Sequence, residues 1–259
     1  MCPFMRAFKR PLIEFLAFLQ HQPESKYLAP EAAKADLLVW AGMLSLSEWL
    51  PVPREPCGPP LRHKLFTADA AGVADGEVNE GAGVGGVGLD EDGVIISCFQ
   101  VIWDNDMISY KKDSKGARFG SKTSTLEMIG LVLPFLLYPS LLLNQHVVFN
   151  TDNIGCYFGW LNMSVAGDIT ASILIRAILL MSSFLGTTVH VTHSPRKTTW
   201  ENIVADKLSR KKSTDRAVKK LLHSFAPTRV PKFFSDWLSS PDEDWNLPIK
   251  CLSYVQSIV

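Results

Sequence analysis

Two stretches near the start of the chain, residues 11–22 and 30–48, carry apolar residues at helical spacing. In the second, Ala32, Ala33, Leu37, Leu38, Trp40 and Ala41 form a stripe, and Pro30 suits a first helical turn, where its missing N–H is no loss. Pro51, Pro53, Pro56, Pro59 and Pro60 then predict a stiff, extended connector and a boundary. Beyond it the period changes. Lys64 to Ala70 reads as a short strand, and Val94 to Trp103 as an apolar run of strand type. Between them, the glycine-rich segment from Gly72 to Gly93 leaves room for a loop and part of a second strand. Ser124 to Leu137 reads as a helix and His146 to Asn150 as a strand. Asp168 to Leu185 reads as a long helix with Asp168 at its N-cap, and Thr188 to His193 as a strand with one exposed face. Thr198 to Lys212 closes the series as an amphipathic helix. Strands first, then helices alternating with strands, predict an α/β domain built on a mixed sheet.

Two apolar runs need a second reading. Met128 to Leu143 is 16 residues long and contains Pro134 and Pro139, and Ile169 to Leu185 carries Arg176 at its centre. A membrane span needs about 20 apolar residues, and a central arginine opposes insertion. Both are expected to be buried helices, with no membrane partner. Arg6, Lys9 and Arg10 imitate a leader, but Glu14 interrupts the apolar run and no small-residue cleavage site follows. The chain is therefore expected to be intracellular, cytoplasmic or nuclear, and not secreted. The five cysteines include no Cys-x-x-Cys pair, which excludes a zinc knuckle or a dithiol redox motif. The glycine-rich segment lacks Gly-Lys-Ser/Thr, so it is not a phosphate-binding loop. Net charge is zero, but Arg196 to Lys220 holds nine Lys or Arg against three Asp or Glu. That excess is either a solvated face or an edge that contacts phosphates.

Candidate chemistry lies in the carboxylates. Asp69 ends one strand and Asp152 follows another, and in α/β sheets sites gather at the carboxyl ends of strands. An aspartate there is also a common turn or cap residue. Glu127 falls in the first turn of a helix, where Ser124-x-x-Glu127 equally fits a capping box. Thr198-x-x-Glu201 has the same pattern, and Glu201 is assigned to capping. Asp206 lies close to Lys207 and Arg210 on a helix, where a surface ion pair is the plain reading.

Four motifs set these acids in a recognisable order: Thr67-Ala68-Asp69-Ala70, Thr125-Leu126-Glu127, Asn150-Thr151-Asp152-Asn153 and Ala205-Asp206-Lys207-Leu208-Ser209-Arg210. The set resembles the ribonuclease H domain of retroelement reverse transcriptases, and most nearly that of DIRS-type elements, which encode tyrosine recombinases. The last string is the most specific, with Asn202 four residues before Asp206 and with His193 closing the preceding strand. The resemblance covers about residues 60–215, with spacings of 58, 25 and 54 between the acids. The turn Ser194-Pro195-Arg196-Lys197 departs from the family in being longer and lacking glycine. Upstream, Leu28-Ala29-Pro30-Glu31-Ala32 and Ala35-Asp36-Leu37-Leu38-Val39-Trp40 are similar to the segment joining polymerase and ribonuclease H regions. Phe234 to Leu247, with Trp237, Pro241 and Trp245, resembles the tail after such domains.

The resemblance implies a ribonuclease H-like fold: a mixed five-stranded sheet flanked by helices, with a small helical N-terminal appendage. Residues 1–60 would be the remnant of the connection region plus the proline-rich linker, 61–215 the ribonuclease H-like domain and 216–259 a tail. It also implies two Mg²⁺ ions, replaceable by Mn²⁺, held by Asp69, Glu127, Asp152 and Asp206, with His193 assisting product release. The implied substrate is the RNA strand of an RNA–DNA hybrid, read by shape and 2′-hydroxyls. Asn153, Arg196 and Lys197 are the candidates for contacts to its backbone. A polymerase chain is a candidate partner, since the sequence contains no Tyr-x-Asp-Asp string of its own. Two rivals stand beside this reading. One is the same fold without catalysis, as a binding or structural module. The other is an integrase-like transferase, which typically carries glutamate rather than aspartate on its late helix.

Overall fold

In the computed structural model the described residues are 8, 10–21, 30–45, 62–71, 83–102, 123–195, 198–210, 215–225, 229–239 and 244–259. Five strands form one sheet: β1 (Lys64–Ala71), β2 (Gly83–Leu89), β3 (Ile95–Ile102), β4 (His146–Thr151) and β5 (Thr188–His193). Their order is β3-β2-β1-β4-β5. The first three are joined antiparallel, whereas β4 runs parallel to both β1 and β5. Parallel neighbours require crossovers, and helices supply them. α3 (Thr123–Leu137) and the short α4 (Pro139–Leu142) lead into β4. α5 (Ile154–Asn162) and α6 (Ile169–Leu185) lead from β4 to β5. The mixed five-stranded sheet and its flanking helices agree with the expectation from sequence.

Strand alternation divides the sheet into two faces. Phe66, Ala68, Val84, Phe99, Val147, Phe149, Val189 and Val191 share a core with α3 and α6. Phe149 ties the layers together, its ring 5.7 Å from those of Phe66 and Phe135. The runs that imitate membrane spans are the buried helices of this core, and no helix among the described residues is long and apolar enough to cross a membrane. The opposite face is covered by α7 (Trp200–Leu208) and α8 (Arg216–His223). β2 makes close cover there by α7 feasible. A Cβ built on Gly85 would lie 2.2 Å from Leu208 Cβ and 2.5 Å from Ser209 N, so α7 ends directly on the strand's backbone.

Two N-terminal helices, α1 (Arg10–His21) and α2 (Glu31–Ser45), and two C-terminal ones, α9 (Lys232–Ser239) and α10 (Leu247–Ile258), complete the chain. Phe8, Phe234, Trp237, Leu247, Cys251 and Val255 belong to the same core as the sheet. Arg176 on α6 forms a buried ion pair with Asp36 of α2, and its guanidinium lies 4.8 Å from the Phe8 ring centre and 5.0 Å from that of Trp245. The proline-rich connector expected between Pro51 and Pro60 lies outside the described residues.

Several elements differ from the sequence reading. α5 had no sequence signal, because Gly155 and Gly159 weaken helix propensity in an apolar run without helical period. It is fixed by its caps, Asn153 at the start and a left-handed Met163 at the end. The predicted helix 198–212 is described only over Trp200–Leu208, and Ser209 is its C-cap. α8, α9 and α10 lie in a tail for which no helices were expected; α8 is short but strongly two-faced, with Val218 inward against Cys98 and Leu208.

Candidate active site

The sheet brings three of the expected acids together. Asp69 lies inside β1, opposite Gly85, rather than at the strand's end. Asp152 directly follows β4, the parallel neighbour of β1. Glu127 stands one turn into α3. One carboxylate oxygen from each lies within 4.8 Å of the others. Asp69 and Glu127 are buried, at 5% and 4% exposure, and Asp152 is half-buried. The helix begins at Thr123, so Ser124 sits within its first turn, and Glu127 presents a carboxylate oxygen to the acid group. Three carboxylates at this separation repel one another, and burial weakens the screening that water would give. Hard oxygen donors in such a group suit a small divalent cation such as Mg²⁺.

Asp206 stands apart from that group. It lies on α7, and its Oδ1 accepts a bond from Arg210 Nη2 at 2.8 Å, one helical turn away. The bond to Asp206 holds the Arg210 guanidinium above its ordinary range, with Asp206 and Asp69 adding charge attraction and burial opposing them. The link back to the three acids is Ser209. Its hydroxyl is fully buried and lies 2.9 Å from both Asp69 Oδ2 and the Asp206 carbonyl oxygen. No role was read for Ser209 in the sequence, although it stands in the most specific motif.

His193 closes β5 beside Thr151, with Nε2 3.2 Å from the Asp152 carbonyl oxygen and its ring 6.2 Å from that of Tyr157. Asn153 caps α5, its Oδ1 accepting from Cys156 N at 3.0 Å. Arg196 and Lys197 lie outside the described residues. The cap expected from Thr198-x-x-Glu201 is displaced by one residue. Thr199 is the N-cap and accepts from Asn202 N, while the Thr198 hydroxyl bonds Pro195 O. Glu201 therefore sits in the first turn, where a negative charge favours the helix dipole.

Two further contacts brace the Glu127 side. Asp168 caps α6 as expected, accepting from Ala171 N, and also takes the Thr125 hydroxyl at 2.7 Å and 2.8 Å. The starts of α3 and α6 are thereby fastened two residues from Glu127. Cys156 gives its thiol to Ser124 O at 3.3 Å. Burial pushes that thiol far up, and Glu127, Asp168 and Asp152 push it further, so it stays protonated and takes no nucleophilic part.

No protein-family model matches the chain, and no curated protein matches it either. Solved structures do. A ribonuclease H1 isolated from compost by a metagenomic approach is 15% identical with a TM-score of 0.42, covering 61% of this chain and 99% of its own. Ribonuclease H1 of the halophilic archaeon Halobacterium salinarum is 17% identical with a TM-score of 0.39, covering 58% and 96%. The prototype foamy virus protease–reverse transcriptase is 14% identical with a TM-score of 0.41; the match takes in 77% of this chain and 29% of that one. The architecture itself, a five-stranded sheet in the order β3-β2-β1-β4-β5 with helices on both faces, is an α/β fold of the ribonuclease H-like kind.

Proposed function

We propose that the chain is a divalent-metal-dependent endonuclease that cuts the RNA strand of RNA–DNA hybrids, and that it derives from the reverse transcriptase of a DIRS-type retroelement. The meeting of Asp69, Glu127 and Asp152 within 4.8 Å supports this reading most. Random surface acids avoid one another, whereas two of these are buried side by side from different elements. Asp69, Glu127 and Asp152 would hold Mg²⁺ or Mn²⁺, with Asp206 as the fourth ligand once it leaves Arg210. When bound, a pair of such ions activates the attacking water and stabilises the leaving oxygen of a phosphodiester.

The chain's own residues orient these groups. Ser209 fixes Asp69, and Thr125 with Asp168 fixes the turn that carries Glu127. His193, whose Nε2 lies 3.2 Å from the Asp152 carbonyl oxygen, would assist product release. Asn153, Arg196 and Lys197 are proposed contacts to the hybrid's backbone. The nuclease unit would be residues 61–215, working alone or beside a polymerase chain. The described cysteines Cys98, Cys156 and Cys251 are unbridged, which accords with a reducing intracellular compartment.

One observation favours the rival reading of an inert module: Asp206 is engaged by Arg210. Asp152→Asn separates the two. It preserves shape and removes one charge from the acid group. Cleavage of a labelled RNA–DNA hybrid in Mg²⁺ should fall to background, with the circular dichroism spectrum unchanged. Turnover retained by the variant excludes the assignment, and an inactive parent chain selects the module.

A further inference from the structure

Asn150 and Asn202 are buried, at 6% and 7% exposure. A buried amide left without partners costs on the order of 1–3 kcal/mol, so such groups are nearly always paired. These two are paired through a ring of three side chains. Asn150 Nδ2 donates to Asn202 Oδ1 at 3.1 Å, Asn202 Nδ2 donates to Ser194 Oγ at 2.9 Å, and the Ser194 hydroxyl donates to Asn150 Oδ1 at 2.9 Å. Each member donates once and accepts once, and the three bonds run in one direction around the ring. Each bond therefore polarises the next. Thr192, opposite Asn150 on β5, adds its hydroxyl at 3.4 Å to the same Oδ1.

The ring joins β4, the residue after β5 and α7. Asn150 is on β4, two residues before Asp152, which directly follows the strand. Ser194 directly follows His193, and its N–H bonds Thr151 O at 3.1 Å. Asn202 lies one turn before Asp206 on α7, on the same flank of the helix. Asp69 and Glu127 are braced by Ser209 and by Thr125 with Asp168. The ring is the corresponding brace for the other half, where β4, the exit of β5 and α7 must keep register.

We propose that Asn150, Ser194 and Asn202 are positioning residues that fix Asp152, His193 and Asp206 relative to one another, and so set how tightly the site takes a divalent cation. The proposal rests on the nuclease reading. None of the three touches the reacting atoms. They act through the acids that do, as hydrogen-bonded supports behind metal ligands generally act.

Ser194→Ala removes a single hydroxyl and opens the ring with little risk to folding, and Asn202→Ala opens it from the helix side. Ser194→Thr keeps a hydroxyl and serves as the rescue. Thr187→Val is the control. Thr187 donates a buried bond to Leu142 O at 2.7 Å, at the opposite end of β5. Mg²⁺ affinity of the full chain by calorimetry, kcat and KM on a labelled hybrid, and the thermal midpoint are measured for each. The two ring-opening variants should weaken Mg²⁺ binding and lower kcat by about tenfold. KM for the hybrid should change less than kcat, within about twofold, because no group proposed to touch the hybrid is a member of the ring. Thr187→Val should lower the midpoint comparably while changing neither reading, and Ser194→Thr should recover most of the loss. Should Asn202→Ala fail to fold, Ser194→Ala with its rescue decides alone. If the ring-opening variants lower only stability, as the control does, the ring is a fold brace and the proposal is overturned. A parent chain that neither binds Mg²⁺ nor cuts hybrid overturns the nuclease reading itself, and this proposal with it.

Discussion

Arg210 reaches Asp206 across one helical turn with half of its side chain in solvent. An ion pair so placed contributes at most about 0.5 kcal/mol to stability. Its larger effect is on binding, since a cation arriving at Asp206 must displace the guanidinium. Arg210→Gln should leave the thermal midpoint nearly unchanged and tighten Mg²⁺ binding in calorimetry. Unchanged affinity would place Asp206 outside the cation site. The cysteines give a second expectation at this scale. Burial raises the Cys98 thiol to about 11 and pushes those of Cys156 and Cys251 higher still, against an ordinary value of 9.0. The folded chain keeps these protons where the unfolded chain loses them, so stability is full below pH 9 and falls as pH rises from there towards 11 and beyond. Urea titrations at stepped pH should show the loss, and Cys98→Ala should remove only its own share, leaving that of Cys156 and Cys251; a midpoint constant up to pH 10.5 (about 1.5 units above that ordinary value) would count against it. The three acids were legible in sequence because each stands in its own local motif. Ser209 was not, because its partner Asp69 is 140 residues away and nothing near it in the chain points there.

At the scale of elements, the strand most obscure in sequence is the one the site leans on. The segment holding the glycines of β2 read as a loop and part of a second strand, without bounds for the strand, because glycine is a poor strand former. These glycines leave no space for side chains here: at Gly85 the end of α7 rests against the strand, and at Gly86 and Gly88 the rings of Phe99 and Phe66 do. Gly85→Ala should push Leu208 and Ser209 off the sheet, costing about 1–3 kcal/mol, and should release Asp69 from Ser209. Gly93→Ala meets no atom within 4 Å and is strained only by its positive φ of 79°. Both should lower stability in urea unfolding, but only Gly85→Ala should also weaken Mg²⁺ binding. Equal effects would separate Ser209 from the site. α8 was missed for a different reason, being a single short run after residues rich in lysine and arginine. Its outward Arg216, Lys219 and Lys220 lie exposed beside α7, while Lys207 is paired with Asp215. Replacing Lys219 and Lys220 by Gln should reduce the salt dependence of hybrid binding by about one unit of slope for each phosphate that is no longer neutralised. An unaltered slope would make this face plain solvated surface.

For the whole molecule, the question is whether the N-terminal helices are cargo or part of the fold. Sequence pointed to an appendage beyond a proline-rich connector, and Arg176 entered only as a reason to reject a membrane span. Its partners are remote in the chain, so no local pattern could show them. In the structure it gathers Asp36 from α2, Phe8 before α1 and Trp245 before α10 around the middle of α6. Burial lowers its guanidinium to about 10, so it remains charged at neutral pH and needs Asp36 beside it. Breaking a buried pair by removing one member costs about 3–5 kcal/mol, while replacing both by apolar groups is often neutral. Arg176→Met should therefore destabilise the full chain strongly in urea unfolding, and so should Asp36→Leu. The double variant should recover most of the loss, in a single transition shared by the sheet and the N-terminal helices. An appendage that merely hangs from the domain predicts otherwise: Asp36→Leu would leave the main transition in place, and the two losses would add rather than cancel.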